Sequence, residues 1–336
     1  MDNNIVVSVC VLTYNHEKYL RQALESILMQ KTTFKYEILI HDDASTDSTQ
    51  TIIREYALKY PEIIKPILQK ENQYSKKIGI YHTYVYPNIS GKYVAYCEGD
   101  DYWIDSEKLQ KQVDFLEKYP QYIATTHECW EVDKEGNMIS KHYFYGNKKR
   151  VFTLKTHLEK NFLSGQTATL MLRREAILLQ DPEIIKLYGE LQATGDVKTT
   201  LLTVLKGDIY HTNEVMSHHR RIYNEGDSWS AKNSKKNLSV FYFNECFELA
   251  RFAKQAFDKD IDYSKMLKRM ARNSCIKFLI NPSKEKWETF MYMYKSLNCK
   301  SKIIISIILC FFAWPFMWIN KKLSKIYYDN FLQRFY

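Results

Sequence analysis

The first third of the chain alternates short apolar runs with segments of helical period. Ile5 to Leu12 is a nearly continuous β-branched run, the pattern of a strand covered on both faces in a parallel sheet. Thr13-Tyr14-Asn15-His16 breaks it. Leu20, Ala23, Leu24, Ile27 and Leu28 then recur at helical spacing and predict a helix over about 17–29. Tyr36 to Ile40 reads as a second strand, ended by His41-Asp42-Asp43-Ala44-Ser45-Thr46-Asp47-Ser48. Asp47 or Ser48 is placed to cap a helix over about 49–60, which Pro61 stops. Ile64–Gln69 and Tyr93–Cys97 predict two more strands, and Ser106 is placed to cap a helix over 107–118.

Strands alternating with helices predict βαβ units and an α/β fold with a doubly wound sheet. Ligands of such sheets sit beyond the carboxyl ends of the strands. Three polar clusters fall at those ends: Thr13-Tyr14-Asn15, Asp42-Asp43 and Glu98-Gly99-Asp100-Asp101. Together they predict a nucleotide pocket.

The later pattern is less regular. Residues 122–151 predict short strands and turns, and Ser164-Gly165-Gln166-Thr167 is a polar loop running into an apolar strand that ends at Leu172. Helices are expected around 174–180 and 197–206, and amphipathic helices over about 237–257, 264–279 and 284–296. Ile303 to Ile319 is a run of seventeen residues with only Ser306 polar, flanked by Lys300, Lys302, Lys321 and Lys322. That length is at the short limit for a bilayer span, and Pro315 kinks any helix there. With Trp314 and Trp318 suited to the interface, the run predicts a helix lying in or dipping into the cytoplasmic leaflet; a buried C-terminal helix is the alternative.

Charge and composition sharpen this picture. The net charge is +9, from 48 basic and 39 acidic side chains. Much of the excess lies late, in Lys232-Lys235-Lys236, Lys265-Lys268-Arg269-Arg272 and around the apolar run. This suggests an anionic surface, and with no nucleic-acid-binding motif present a membrane leaflet is favoured over nucleic acid. Seven cysteines without a CxxC pair exclude a Cys-rich zinc module and fit a reducing compartment. Met1-Asp2-Asn3-Asn4 carries no basic n-region, so the expected location is cytoplasmic, peripheral to the inner face of the membrane. The 26 tyrosines and 17 phenylalanines fit sugar-stacking surfaces, and a compositional bias equally well.

The most informative chemistry is Glu98-Gly99-Asp100-Asp101-Tyr102-Trp103. Carboxylates this close at the end of a buried strand repel and need compensation. Hard oxygen ligands suit Mg²⁺ or Mn²⁺, which bind through one or two carboxylates plus substrate phosphates.

Val7-Ser8-Val9-Cys10-Val11-Leu12-Thr13-Tyr14-Asn15, then His41-Asp42-Asp43-Ala44-Ser45-Thr46-Asp47, then Glu98-Gly99-Asp100-Asp101-Tyr102-Trp103 resembles a family 2 glycosyltransferase of the GT-A fold, over about residues 5–230. The likeness is greatest to bacterial members that build capsule, lipopolysaccharide or other surface polysaccharides. The resemblance implies a Rossmann-like, mostly parallel mixed sheet flanked by helices. It also implies an inverting transfer from a nucleotide-sugar, usually a UDP-sugar, to a hydroxyl of a saccharide or lipid-linked saccharide. By resemblance, Thr13, Tyr14, Asn15, Asp42 and Asp43 line the nucleotide pocket. Asp100 and Glu98 hold a divalent metal, and Asp101 and Trp103 face the donor sugar. Asp196, in Thr194-Gly195-Asp196-Val197-Lys198, is the expected base, with Glu190 in reserve.

Glu214 to Tyr223, with Ser228-Trp229-Ser230, resembles the family's closing segment, though its paired His218 and His219 depart from the usual Tyr-Arg-x-His. Arg220 or Arg221 is placed to meet the diphosphate, and Lys76 and Lys77 form a further basic pair. The expected organisation is a catalytic domain over 1–232, with a nucleotide half (1–105) and an acceptor half (106–232). A helical extension (233–298) and a membrane-associating tail (299–336) follow. Two other readings compete. A nucleotidyltransferase calls for a Gly-rich phosphate loop after the first strand, which Leu12-Thr13-Tyr14-Asn15-His16 lacks. A non-catalytic scaffold of a polysaccharide assembly complex fits poorly with intact Asp42, Asp100 and Asp196.

Overall fold

The computed structural model describes residues 4–76, 79–140, 148–160, 162–222, 237–298, 302 and 305. The β-branched run forms β1 (Ile5–Thr13), which pairs in parallel with β2 (Lys35–Asp42) on one side and β4 (Tyr93–Tyr96) on the other. β3 (Ile64–Leu68) lies parallel to β2. Successive side chains point to opposite faces, and both faces are buried. Val7, Val9, Val11, Ile38 and Ile40 pack with Leu20, Leu24 and Ile27 of α1 (Leu20–Leu28), Ile53 of α2 (Thr49–Lys59), and Leu109 and Leu116 of α3 (Lys108–Lys118). Cys10, Leu39, Val94 and Tyr96 pack on the other side with Val85, Tyr86 and Ile177. Full burial of an aliphatic side chain is worth about 1.5–3 kcal/mol, so this double covering makes β1 and β2 the core of the parallel half of the sheet.

The second half of the sheet is mixed. β9 (Met171–Arg173) runs antiparallel between β4 and β6 (Tyr122–Val132). β6 is parallel to β10 (Asp208–Arg220), which also takes β5 (Tyr102–Trp103) and β8 (Arg150–Phe152) antiparallel; β7 (Met138–Ser140) pairs with β6. The order is β3-β2-β1-β4-β9-β6-β10-β5. This is the expected α/β architecture, a mixed sheet flanked by helices.

Three local expectations are corrected and one open choice is decided. Within 122–151, β7 and β8 are short strands as expected, but 122–132 is one strand of eleven residues, β6. Its buried His127 and Glu128 mask the strand pattern, and Glu128 is satisfied across the sheet by His211 Nε2 at 3.0 Å. Around 174–180 only the single turn Arg174–Ala176 forms; the helix lies later, as α5 (Pro182–Glu190), where Asp181 accepts from the Glu183 N–H at 2.8 Å and Pro182 occupies the first turn. Of the two expected caps of α2, Asp47 is the one that accepts from the Thr49 N–H, at 2.9 Å. Asp105 rather than Ser106 accepts from the Glu107 N–H ahead of α3, at 2.8 Å.

The chain divides into two compact units, 1–157 with 161–235 and 158–160 with 236–336. The second contains α7 (Ser239–Phe257), α8 (Ser264–Ile280) and α9 (Lys284–Ser296), with Phe243, Leu249, Phe278, Trp287 and Phe290 buried. Among the described residues, no helix is long and apolar enough to cross a membrane. The expected leaflet helix over 303–319 lies outside the described residues apart from Ile305, as do Lys77, Tyr223, Ser228-Trp229-Ser230 and nearly all of 299–336.

Candidate active site

The carboxyl ends of β1, β2 and β4 bring the three polar clusters together. Thr13 Oγ1 donates to Asp42 Oδ1 at 3.0 Å. Asn15 adopts φ 55°, a left-handed conformation that asparagine tolerates. Its N–H donates to Ser45 Oγ at 2.9 Å and its Oδ1 accepts from the Thr46 N–H at 2.9 Å. Asp42 is fully buried and accepts four hydrogen bonds: Thr13 Oγ1 and Ser45 Oγ on Oδ1, and the Ser45 N–H and Gln50 Nε2 on Oδ2. Asp43 accepts one on each oxygen, from the Gln73 N–H at 2.7 Å and the Tyr74 N–H at 3.1 Å. Asp42 is therefore saturated inside the protein, whereas Asp43 keeps acceptor capacity. Tyr14 is half-buried at the same edge.

The acidic cluster turns against the end of β1. The Gly99 N–H donates to Leu12 O at 3.0 Å and the Asp101 N–H to Glu98 O at 3.0 Å. A Cβ on Gly99 would come within 2.6 Å of Thr13 Cγ2 and 2.7 Å of His16 Nδ1, so only glycine admits this approach. His16 Nε2 lies 3.8 Å from Asp100 Oδ2. Burial pushes the Glu98 carboxyl up to about 8, with the Asp101 and Asp100 charges adding to the effect and Asp196 contributing least. Asp100 is raised as well, by burial and by Asp101, against the pull of His16. Two half-buried carboxylates thus share a site that disfavours their charge.

Asp101 faces inward and is 1% exposed. It accepts from the Arg220 N–H at 2.7 Å and from Gln166 Nε2 at 2.7 Å, and His219 Nδ1 lies 3.2 Å from both of its oxygens. Burial works against charge on His219, but the Asp101 carboxylate, then Glu98 and Asp100, hold it up at about 9. Trp103 is placed elsewhere than the expected donor-sugar contact. It is 1% exposed in the core, donates through Nε1 to Ala168 O at 3.0 Å, and one ring face covers the Lys108 ammonium at 4.2 Å. No face of the indole is left for a sugar.

The two arginines have different surroundings. Arg220 is 4% exposed, with its guanidinium over the Tyr19 and Tyr102 rings and Nη2 donating to Gln22 Oε1 at 2.6 Å. Arg221 pairs with Glu131 at 2.6 Å. His218 Nδ1 meets the Tyr102 hydroxyl at 2.8 Å. Asp196 stands in the first turn of α6 (Gly195–Val204), half-buried, with Oδ1 accepting from the Val197 N–H at 2.8 Å. Glu190, at the end of α5, is exposed, and Lys76 is paired with Glu71 at 2.6 Å.

Sequence reasoning gave His16 and Gln166 no role, although both meet the acidic cluster. Their positions in polar breaks at strand ends were the available signal. Among the described residues, no three or more His, Cys, Asp or Glu side chains group as a metal site. Glu98 and Asp100 do match the pair of hard carboxylates that suffices for Mg²⁺ or Mn²⁺ when substrate phosphates complete the shell.

Residues 8–179, just over half of the chain, match the family described as Glycosyl transferase family 2. An uncharacterized protein of Mycobacterium tuberculosis is 37% identical over 171 residues, which are 50% of this chain and 47% of that protein. The chain thus matches about half the length of those mycobacterial relatives. The putative teichuronic acid biosynthesis glycosyltransferase TuaG of Bacillus subtilis is 27% identical, covering 70% of this chain and 87% of that protein. Staphylococcus aureus TarS 1-349, solved in complex with UDP-GlcNAc, shares the fold with a TM-score of 0.58 at 18% identity, covering 86% of this chain and 80% of that one. The extent of the family match, carrying β1, the Asp42-Asp43 turn and the acidic cluster in their order, shows that the chain belongs to glycosyl transferase family 2.

Proposed function

We propose that the protein is an inverting glycosyltransferase that moves a sugar from a UDP-sugar to a hydroxyl of a growing cell-surface polysaccharide. The observation that carries this reading is the meeting of Glu98-Gly99-Asp100 with the end of β1 and the Asp42-Asp43 turn, where Gly99 lies against Thr13 and Thr13 Oγ1 donates to Asp42. The UDP-GlcNAc of TarS and the teichuronic acid role in the name of TuaG support the donor and acceptor classes.

Asp100 and Glu98 would hold Mg²⁺ or Mn²⁺, which supplies charge stabilisation to a departing diphosphate. Asp43, with free acceptor directions, receives an N–H of the nucleobase. Asp42 keeps the wall rigid through Thr13, Ser45 and Gln50, and Tyr14 closes the same edge. Asp196 takes the proton of the acceptor hydroxyl. Arg220 supports the pocket from its aromatic seat, and Arg221, half-exposed, extends the basic edge toward the diphosphate.

Release of UDP in the presence of Mn²⁺ tests the reading. Asp100→Ala and Asp196→Asn should each lose at least about 100-fold in turnover, and Asp196→Asn should still bind UDP. Wild-type turnover by Asp196→Asn would remove it as the base. We further propose that the apolar run after Lys302 attaches the protein to the cytoplasmic leaflet. Deleting it should shift the folded protein from the membrane fraction to the soluble fraction; an unchanged distribution refutes the attachment.

A further inference from the structure

We infer that Gln166 is a positioning residue for the acidic cluster, and that through Asp101 it sets the affinity of the site for a divalent cation. The inference rests on the proposed metal role of Asp100. Gln166 lies in the polar loop ahead of β9, 65 residues from Asp101 in sequence. Its carboxamide is held at both ends. Oε1 accepts from the Ala168 N–H at 2.7 Å, while Nε2 donates to Asp101 Oδ2 at 2.7 Å and lies 3.1 Å from His219 Nδ1.

The loop around Gln166 has little freedom. A Cβ on Gly165 would stand 2.6 Å from Thr169 Oγ1 and 3.1 Å from Thr126 Cβ, so the loop is seated against β6. Thr169 Oγ1 in turn donates to Gln166 O at 2.6 Å. Trp103 Nε1 donates to Ala168 O at 3.0 Å, joining the loop to β5 just beyond the cluster.

Asp101 receives donors from two separate segments, Gln166 from the loop and the Arg220 N–H from β10, with His219 alongside. It is 1% exposed. A buried carboxylate with these partners is fixed, and Asp100, its direct neighbour in the chain, is presented to the cleft from that fixed point. Gln166 is a neutral donor to the Asp101 carboxylate, so a neutral replacement changes geometry without changing net charge. A bound cation requires Asp100 to hold one orientation, and pre-organisation of a ligand by its supporting residues commonly changes metal affinity 10- to 100-fold.

Gln166→Asn and Gln166→Met test this. The first keeps a neutral carboxamide but is one methylene too short to reach both Ala168 N–H and Asp101; the second removes both polar ends at similar length. Mn²⁺ binding by calorimetry in the presence of UDP, whose phosphates complete the shell, is compared with kcat and donor KM at varied Mn²⁺ and with the thermal midpoint. Both variants should bind Mn²⁺ at least about tenfold more weakly and recover much of kcat at high Mn²⁺. The thermal midpoint of Gln166→Asn should stay within a few degrees of wild type. Asp100→Ala is the control: if it binds Mn²⁺ like wild type, the metal assignment itself fails. If Asp100→Ala abolishes binding while both Gln166 variants bind normally, the positioning role fails alone. Loss of the fold in both Gln166 variants would overturn it too, making the residue a folding determinant.

Discussion

At the residue scale, the site depends on small groups that let backbones approach. Gly99 lies against Thr13 and His16 with no room for a methyl group. Gly99→Ala should displace the acidic loop and lower turnover more than tenfold while the protein remains folded; full activity in a UDP-release assay would contradict this. Ala44 is the opposite case. It sits at φ 60° in the turn that follows Asp42-Asp43, a conformation that costs an L-residue with a Cβ roughly 1–2 kcal/mol. Ala44→Gly should therefore raise stability by about 0.5–1 kcal/mol after the entropy cost of glycine, read as a higher urea midpoint.

At the element scale, the end of the sheet opposite the site is locked by a buried carboxylate. Glu37, fully buried at the start of β2, accepts from Ser8 Oγ on β1 at 2.5 Å and from the Ser90 N–H ahead of β4 at 2.7 Å, and pairs with Lys65 of β3. Gly91 completes the joint, since a Cβ there would stand 2.5 Å from Ser8 N. Glu37→Ala leaves the Ser8 hydroxyl and the Ser90 N–H without their acceptor and should cost about 3 kcal/mol, the low end for a broken buried pair because Lys65 can rehydrate. The kcat of the folded protein should not change, because the joint is remote from the acidic cluster. A urea midpoint equal to wild type would show that the joint contributes nothing.

At the scale of the whole molecule, buried histidines add to the response to acid, and burial lowers His41 and His127. Burial pushes His82 and His157 down to about 4. His82 Nε2 meets Ile177 O at 3.0 Å and His157 Nδ1 meets Phe162 O at 3.0 Å. In the unfolded chain each takes up a proton near pH 6.5, so the unfolded state binds more protons over the window between. Stability from these groups is complete above pH 6.5 and is lost as pH falls toward 4, by about 2 kcal/mol each at pH 5. Urea midpoints at pH 7.5 and 5 should diverge less for the His82→Gln, His157→Gln double variant than for wild type. An identical pH dependence in both would refute the assignment.

How much of this was legible in the sequence follows from how each feature is encoded. Buried parallel strands are long apolar runs, so β1 to β4, the helices between them and the clusters at their ends were readable directly. The helices over 239–257, 264–280 and 284–296 were readable from period alone. β6 was not, because buried polar residues interrupt its apolar pattern and are met by distant segments, Glu128 by His211 of β10 and Thr126 by the Ser164 carbonyl. Trp103 looked like a sugar contact beside the acidic cluster, and only packing assigns it to the core. Asp42 and Asp43 are adjacent and alike in sequence, yet four internal donors saturate the first and two leave the second open. The sequence by itself determined which chemistry gathers at the sheet edge, since local runs and motifs carry that information. The tertiary structure alone decided which carboxylates face the cleft and which brace it, because their partners arrive from segments distant in the chain: Gln50 and Gln73 for the aspartate pair, Gln166 and Arg220 for Asp101.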